Sequence, residues 1–401
     1  MSTTTNRWVN GQCCAAGAPP LALYIHLPWC VRKCPYCDFN SHAQPAGLPE
    51  VAYVDALLRD LEQELARLDE TRPLVSVFIG GGTPSLFSAA TIARLLAGIN
   101  ALLPLPAATE ISLEANPGTA DAERFAGYAA AGINRLSIGV QSLVAEQLQR
   151  LGRIHDPQQA RAAVAMARQA GLANLNLDLM FGLPGQDLAS ARADLSEVLE
   201  WAPAQVSYYQ LTLEPNTEFQ RLPPLLPDPD LIDDMHQQGL VMLAAAGYTR
   251  YEISSFAQPG RRCAHNLNYW TFGDYLGLGA GAHGKLTDPA SGRVQRRTKQ
   301  RSPSRYLAAV DPTSGVRILD DADLVLEFAL NVLRLPEGFT LDLFQDRTGL
   351  APATIAGIVR QAVGDGLMEQ WPTAHGQPRL RPSALGLRFL NDLIARFDTS
   401  P

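Results

Sequence analysis

Six short apolar segments, each followed by an amphipathic pattern, most strongly constrain how this chain can fold. The segments are rich in β-branched and aromatic residues, as strands are, and cover residues 21–27, 75–79, 110–114, 135–140, 174–180 and 206–212. Apolar residues three or four apart predict helices over residues 51–68, 91–103, 120–131, 144–151, 157–170 and 188–201. Strands that alternate with helices imply right-handed crossovers and a parallel sheet. We therefore predict an α/β fold, a partial TIM-like (β/α)6 barrel.

The rest of the chain suggests four segments. Residues 1–20 form a polar leader that we expect to be flexible, residues 21–250 form the barrel, and residues 251–319 extend it. Residues 320–401 read as a winged-helix-like α+β domain. Its predicted elements are helices over residues 324–335, 341–348 and 352–363, a hairpin over 368–380, and a closing helix over 384–397.

Charge and composition exclude several classes of protein. The net charge of −7 and the single basic residue of the predicted helix 352–363, Arg360, argue against nucleic-acid binding. No apolar run approaches the ~18 residues that a membrane helix needs, and the leader lacks an apolar signal core. Six cysteines are too few for a disulfide framework in a chain of 401 residues. We therefore expect a cytoplasmic protein, with Cys13-Cys14 an incidental pair.

Three cysteines, Cys30, Cys34 and Cys37, fall within eight residues directly after the first strand. Thiolates bind soft metals such as iron–sulfur clusters, zinc and copper(I). A cubane cluster bound by three thiolates would keep one iron open to a small molecule. Zinc with His26 or His42 as the fourth ligand is the alternative, and three structural thiols are a lesser one.

Other unusual residues stand near the C-terminal ends of the later strands. A glycine run leading to Thr83 follows the second strand. Glu114 ends the third strand, Gln141 directly follows the fourth, Asp178 lies late in the fifth and Thr212 ends the sixth. Because the active site of a parallel barrel lies at that end, these residues are predicted to meet the cysteines at one mouth. The glycines would offer N–H groups to a carboxylate, although a tight turn explains them equally well. A carboxylate inside an apolar strand, such as Asp178, needs a buried partner.

Two sequence strings around the cysteines carry a family resemblance. Residues 24–30 read YIHLPWC and residues 37–42 read CDFNSH, with a tyrosine directly before the third cysteine. This pattern resembles the radical S-adenosylmethionine (SAM) superfamily. Within it, the chain looks like the oxygen-independent coproporphyrinogen III oxidases and the haem chaperones related to them. The resemblance implies a [4Fe–4S] cluster whose open iron is chelated by SAM, within the same barrel architecture.

The resemblance also implies roles for individual residues. Matching strings read SLE over residues 112–114, GVQS over 139–142, LGR over 151–153 and DLMFGLPG over 178–185. The cluster ligands would be Cys30, Cys34 and Cys37. The positions that match SAM contacts are Tyr24, Tyr36, Gly81, Gly82, Thr83, Glu114, Gln141, Arg153 and Asp178, with Thr212 a weaker match.

A second string bears on the choice between oxidase and chaperone. Residues 263–270 read CAHNLNYW, in which His265 is a candidate haem ligand and Tyr269 and Trp270 offer flat apolar surface. By residue type alone, a structural histidine is as good an explanation. The string resembles the HNxxYW motif of the haem chaperones, and Cys263 is a lesser candidate ligand.

Two departures disfavour the oxidase reaction, in which a 5′-deoxyadenosyl radical starts decarboxylation of a propionate. Phe39 stands where the oxidases carry a further cysteine, and only 29 residues precede Cys30, where they have a longer segment. We therefore predict a chaperone that carries haem to acceptor haemoproteins. A module whose cluster only controls oligomerisation is a weaker alternative, and a homodimer remains open.

The extension adds two further expectations. Glycines between residues 273 and 284, with His283, would form a flexible run near the mouth. Residues 293–305 hold six basic residues in thirteen positions, which predicts a basic loop. That loop would meet porphyrin propionates or, in peripheral membrane contact, anionic lipid headgroups; a solvated loop is the plainer alternative.

Overall fold

The computed structural model describes residues 7–9, 12–14, 18–68, 70–372 and 377–399. Its strands are β1 (Arg7–Val9), β2 (Gln12–Cys14), β3 (Leu21–Leu27), β4 (Trp29–Cys30), β5 (His42–Ala43), β6 (Leu74–Gly81), β7 (Glu110–Ala115), β8 (Arg135–Gln141), β9 (Leu175–Phe181), β10 (Gln205–Gln210), β11 (Thr249–Glu252), β12 (Ser255–Ala257), β13 (Asp274–Leu278), β14 (His283–Thr287), β15 (Val294–Lys299), β16 (Thr313–Ile318), β17 (Met368–Trp371) and β18 (Arg379–Pro382).

Helices connect these strands. They are α1 (Glu50–Leu68), α2 (Ala89–Leu102), α3 (Ala122–Ala131), α4 (Ala145–Arg150), α5 (Pro157–Gln169), α6 (Leu188–Glu200), α7 (Glu218–Arg221), α8 (Pro229–Ala245), α9 (Ala264–Trp270), α10 (Pro303–Ala308), α11 (Asp321–Val332), α12 (Leu341–Thr348), α13 (Ala353–Gly364), α14 (Ala384–Arg388) and α15 (Leu390–Ala395).

One sheet of twelve strands organises the molecule. Strands β3, β6, β7, β8, β9 and β10 lie side by side in chain order and pair in parallel, which confirms the predicted α/β fold. A strand that the sequence did not predict, β13, adds to the other side of β3, also in parallel. Antiparallel strands complete both edges: β12 and β11 beyond β10, and β14, β15 and β16 beyond β13.

The helices begin at the polar residues that favour helix N-termini. Asp156 and Asp187 each close a capping box at the start of α5 and α6, and Pro157 occupies the first turn of α5, where no N–H donor is required. The helices then bury their apolar faces against the outward-facing strand residues. Leu136, Ile138 and Val140 of β8, for example, are completely buried in this core.

The extension differs from its prediction in two places. The glycine-rich segment is not a flexible run, because most of it forms β13 and β14. The predicted basic loop is also wrong in its first half, where Val294–Lys299 form β15 between β14 and β16. Backbone hydrogen bonds of a central strand outweighed the high charge of this stretch.

The basic side chains of β15 bind acidic partners inside the molecule. Lys299 Nζ lies 2.5 Å from Asp60 Oδ1 and 2.8 Å from Glu64 Oε1, and Arg297 lies 2.7 Å from Glu64. The Tyr306 hydroxyl donates to the other Asp60 oxygen. All four charged side chains are buried, so this ion cluster ties α1 to the extension. It leaves Lys299 and Arg297 unavailable to propionates or lipids.

Residues from 320 onward share a second hydrophobic core. The β17–β18 hairpin pairs antiparallel as predicted, whereas the predicted closing helix is interrupted at Phe389 and forms α14 and α15. Phe328 packs edge-on against three phenylalanine rings, one of which, Phe272, comes from the extension. The C-terminal segment therefore packs against the barrel extension through this second core.

Some predictions lie outside what the structure describes. In the leader, β1 pairs antiparallel with β2, but the side chains of Cys13 and Cys14 and the rest of residues 1–17 lie outside the described part. The leader's flexibility and the segment boundaries therefore stay predictions. No helix in the described ranges is long and apolar enough to cross a bilayer.

The ion cluster yields a stability prediction. Lys299→Met leaves two buried carboxylates without their shared cation, so we expect the free energy of unfolding to fall by about 3–5 kcal/mol. Chemical denaturation would measure the change. Arg305→Met is the matched control, because Arg305 is exposed, and we expect a change within about 0.5 kcal/mol. Equal effects of the two substitutions would contradict a stabilising role for the cluster.

Candidate functional site

The inner face of the sheet encloses a cavity of about 840 Å³, which we call the lumen. Every residue predicted for the site from the sequence lines it. These residues are Tyr24, Cys30, Cys34, Tyr36, Cys37, Gly81, Gly82, Thr83, Glu114, Gln141, Arg153, Asp178, Thr212 and His265. The structure thus brings the predicted residues together along one cavity. Asp178, expected late in its strand, lies at its middle.

The lumen continues towards the N-terminal ends of the strands, which the sequence analysis missed. Its wall there includes Arg135 and Gln205, the first residues of β8 and β10, together with Glu252 and Arg334. The sequence signal for this part of the wall was the alternation of lumen-facing and helix-facing residues along each strand. In β8, residues 135, 137, 139 and 141 line the lumen, while the three apolar residues between them face the helices.

Contacts from distant segments hold the cysteine loop, residues 30–41. Asn40 donates from Nδ2 to the carbonyls of Ala280 (2.8 Å) and Arg301 (2.9 Å). A Cβ on Gly281 would lie 2.3 Å from that nitrogen, and Gly281 has φ +80°, so this approach requires glycine. On the other side, Phe219 N–H donates to the Pro35 carbonyl. The loop is therefore fixed from the β13–β14 turn and from α7.

The three thiols fit a cluster better than zinc. All three line the lumen, and burial raises the pKa of Cys30 and of Cys37. The Arg153 guanidinium lies 3.8 Å from Cys34 Sγ and would stabilise a thiolate there. Among the described residues, no three Cys, His, Asp or Glu side chains converge closely enough to bind a single ion. A [4Fe–4S] cluster does not require its three thiolates to converge on a single ion, because each thiolate binds a different iron.

His26, one of the two suggested zinc ligands, is fully occupied by hydrogen bonds. Its Nε2 lies 2.9 Å from the Asn40 carbonyl, which can only accept, so this nitrogen carries the proton. Its Nδ1 therefore accepts from the Tyr24 hydroxyl at 2.9 Å. Burial lowers the pKa of His26, which keeps the ring neutral. His26 thus positions Tyr24 and Asn40, whereas the other suggested ligand, His42, has a buried Nε2 without a partner among the described residues.

The glycine run does not offer its N–H groups to a ligand, contrary to expectation. The N–H groups of Gly82 and Thr83 donate to the Leu27 and Trp29 carbonyls, both at 2.8 Å, and that of Gly81 donates to Glu114 Oε2 at 3.0 Å. Gly81 has φ +116°, and a Cβ there would lie 2.6 Å from the His26 ring. The glycines therefore allow close packing of the backbone, and the polar groups left at this point are side chains.

Two carboxylates, Glu114 and Asp178, face the lumen between the cysteine loop and its lower end. Burial and, second, the charge of Asp178 raise the pKa of Glu114 to about 8. Burial also raises the pKa of Asp178, although hydroxyl and amide donors oppose it. Asn176 Nδ2 donates to Asp178 at 2.7 Å and the Ser137 hydroxyl at 3.2 Å. These are the partners that a carboxylate within a buried strand was predicted to need.

Gln141 ends β8 in an unusual conformation. Its φ of +67° is in the left-handed region, which costs a residue with a side chain of order 1 kcal/mol or more. The Tyr209 hydroxyl donates to its Oε1 at 2.7 Å. The strand pairing shifts register between Gly139 and Gln141, which turns this amide into the lumen next to Arg153. Arg153 in turn donates to the Gly139 carbonyl at 2.9 Å.

The remaining predicted residues differ in how enclosed they are. Tyr36 packs against Phe219 beside the cysteine loop, with 6.4 Å between ring centroids. Thr212 lies at the exposed rim beyond β10, where its hydroxyl donates to Glu214 at 2.6 Å. Thr212 is thus more exposed than the predicted residues deeper in the lumen.

His265 lies on the lumen wall with one ring nitrogen held and the other free. Ser76 Oγ is 3.0 Å from Nδ1, while Nε2 is buried and has no hydrogen-bond partner among the described residues. The ring stacks on Phe78 at 5.0 Å and contacts Tyr269 at the same centroid distance. Burial lowers the pKa of His265 to about 3, so the ring is neutral, and Nε2 keeps its lone pair in the tautomer in which Nδ1–H donates to Ser76 Oγ.

Comparisons with known proteins agree with this arrangement. A family model described as the radical SAM superfamily matches residues 24–198. The chain is 48% identical over 384 residues to heme chaperone HemW of Escherichia coli K12, covering 94% of this chain and 98% of that one. It is 47% identical to heme chaperone HemW of Haemophilus influenzae, covering 95% and 98%.

A solved structure shares the fold. Coproporphyrinogen III oxidase (HemN) from Escherichia coli, described as a radical SAM enzyme, superimposes with a TM-score of 0.78. The match covers 95% of this chain and 91% of that one at 23% identity, so it supports the architecture alone.

The raised pKa of Glu114 gives a prediction for the ligand-free protein. Between its ordinary pKa of 4.5 and about 8, the folded protein retains a proton that the unfolded chain loses. The contribution of the protonated carboxyl group to the free energy of unfolding is therefore fully present below pH 4.5 and is lost as the pH rises towards 8. At pH 7, which is 2.5 units above 4.5, the free energy of unfolding is lower by about 3 kcal/mol because of this group. Glu114→Gln removes it, so we expect this variant to melt at a higher temperature than wild type at pH 7.

The matched control is Glu62→Gln, because Glu62 is an exposed carboxylate of α1. It should leave the melting temperature almost unchanged at pH 5 and at pH 7. If Glu114→Gln and wild type show the same pH dependence, the carboxylate is ionised in the folded protein and our assignment of its proton is wrong.

Proposed function

This chain belongs to the HemW family of haem chaperones within the radical SAM superfamily, and from that premise we propose that it binds haem and transfers it to acceptor haemoproteins. The family implies a [4Fe–4S] cluster and SAM in the barrel. The observation that best supports the haem function is the free, neutral Nε2 of His265 on the wall of the same lumen as the three cysteines.

We assign the cluster to Cys30, Cys34 and Cys37. When bound, such a cluster supplies electrons and one iron that SAM can chelate. The residues of this chain shape that site: Arg153 offsets negative charge at Cys34, and Asn40 anchors the loop to the extension.

We assign SAM to the middle of the lumen, next to the cysteine loop. The carboxyl groups of Asp178 and Glu114, both held by hydrogen bonds, can accept from hydroxyl and amine donors, and Gln141 offers an amide whose orientation Tyr209 sets. The backbone around Gly81 and Gly82 allows a ligand to approach closely. Tyr24, Tyr36, Thr83 and Thr212 complete the proposed contacts.

We assign His265 as an axial ligand of the haem cargo. A metal-binding histidine usually has its other ring nitrogen fixed by a hydrogen bond, as Ser76 does here for Nδ1. The rings of Tyr24, Phe78 and Tyr269 around it offer flat apolar surface for a porphyrin. Because Nε2 is buried, the aromatic wall must open locally when iron binds.

We also propose where in the cell the protein acts. Reduced cluster thiolates favour the cytoplasm. Peripheral contact with anionic lipids would rest on Arg293, Arg301 and Arg305, which stay exposed while their neighbours in β15 are paired internally. A homodimer is compatible with the described surface, and measurement of the mass in solution would test it.

Haem titration tests the proposed ligand. We expect His265→Ala to lower haem affinity at least tenfold and to change the Soret absorption, because the axial nitrogen is lost. His42→Ala is the control, since His42 also has a buried nitrogen without a partner among the described residues but belongs to β5 rather than to α9. Equal haem spectra and affinities for wild type and His265→Ala would remove His265 from the account.

The alternative function is oxidative decarboxylation of coproporphyrinogen III. Anaerobic incubation of the reconstituted protein with a reductant, SAM and coproporphyrinogen III decides between them. We expect no decarboxylated product, because Phe39, whose side chain cannot bind a metal, stands at the loop position where the oxidases that the chain resembles carry a further cysteine. Formation of protoporphyrinogen IX would instead establish the oxidase.

A further inference from the structure

One cation stands out at the lower end of the lumen. Arg135 is 2% exposed and is among the largest fully buried side chains of the described residues. Its guanidinium donates to two neutral oxygens, Asn174 Oδ1 at 2.9 Å and Gln205 Oε1 at 2.5 Å. Among the described residues, no carboxylate oxygen lies within the 4.0 Å of an ion pair.

A buried guanidinium without a paired anion is costly, because arginine cannot lose its proton. The nearest acidic residue on the neighbouring strand, Glu110, is committed elsewhere. Its Oε1 accepts from the backbone N–H groups of Ala264 (2.9 Å) and His265 (3.2 Å) and from the Cys263 thiol. Arg135 therefore has no direct ion pair with a described residue in the cavity that it lines, although the charges of Glu110 and Asp178 stabilise it at longer range.

Two unpartnered polar groups line the same part of the lumen. Besides His265 Nε2, the Trp270 indole N–H is buried without an acceptor among the described residues. Arg334, the other cation nearby, is not available, because it pairs with Glu252 at 2.5 Å and stacks on the Trp270 ring. A ligand that brings both a metal and an anionic oxygen would satisfy this set of groups.

The spacing of the strands fits such a ligand. His265 is anchored to Ser76 on β6, and Arg135 begins β8, two strands away in the sheet, or about 10 Å across it. The aromatic rings of Tyr24, Phe78 and Tyr269 lie beside His265. A porphyrin spans a comparable distance between its central iron and the carboxylate of a propionate.

We propose that Arg135 binds a propionate carboxylate of the haem cargo at the bottom of the lumen, with the iron towards His265. This inference rests on the proposed haem function. The guanidinium fork matches a carboxylate, and exclusion of water strengthens the contact. Haem would accordingly enter with its propionate edge leading.

Titration with capped propionates tests this. Haem and haem dimethyl ester, which lacks free carboxylates, are each titrated anaerobically into the cluster-loaded full-length protein. We expect wild type to bind haem at least tenfold more tightly than the ester, and Arg135→Gln to bind both with the affinity that wild type has for the ester. Unchanged ester binding by Arg135→Gln would also show that the lumen is intact.

Two further variants sharpen the result. Arg135→Lys retains the charge but not the fork, so it should keep part of the preference for haem. Arg161→Gln removes an exposed cation that pairs with Glu197 outside the lumen, and it should keep the full preference. A separate SAM titration examines the other carboxylate source in the site, and Arg135→Gln should bind SAM like wild type.

Three outcomes would overturn the inference. They are equal binding of haem and ester by wild type, an undiminished haem preference in Arg135→Gln, and loss of SAM affinity in Arg135→Gln with haem selectivity unchanged, which would assign the guanidinium to SAM. Failure of wild type to bind either porphyrin would instead defeat the proposed haem function itself.

Discussion

The alternation of side chains along the parallel strands is the constraint on which the site depends. Residues of one parity face the helices and form the main core, as Leu136 and Ile138 do. Residues of the other parity are polar or small, for example Ser137 and Asp178. Bulky apolar residues usually fill the inside of a closed barrel. Here such residues are absent from much of the inner face, so the sheet encloses a cavity rather than a second core.

The sequence predicted the fold and the upper part of the site for clear physical reasons. Strand and helix periodicities are local, and the carboxyl ends of parallel strands share one edge, so Cys30, Glu114 and Gln141 could be brought together before any coordinates were known. The lower part of the lumen was not predicted, because only residues at the C-terminal ends of the strands were expected to form the site. The same alternation, applied to the first residues of β8 and β10, would have placed Arg135 and Gln205 inside.

Other features depended on long-range contacts that no local pattern encodes. The basic stretch formed a strand because Asp60 and Glu64, more than two hundred residues earlier, neutralise Lys299 and Arg297. Likewise, the glycines near the mouth predicted mobility, yet β13 pairs with β3 and fixes them. The N–H groups of the Gly81 run were expected to be free, but nearby carbonyls and Glu114 already accept from them.

Arg334 joins the two cores of the molecule. It follows α11 of the C-terminal segment, yet its guanidinium covers Trp270 at the side of the lumen and is held by Glu252 from the barrel edge. Phe272, just beyond Trp270, is anchored in the C-terminal core. The C-terminal segment therefore cannot move as an independent appendage, since any shift of it would uncover the indole. Part of the lumen wall is therefore supplied by the C-terminal segment, and the enclosure of the cavity depends on how that segment packs.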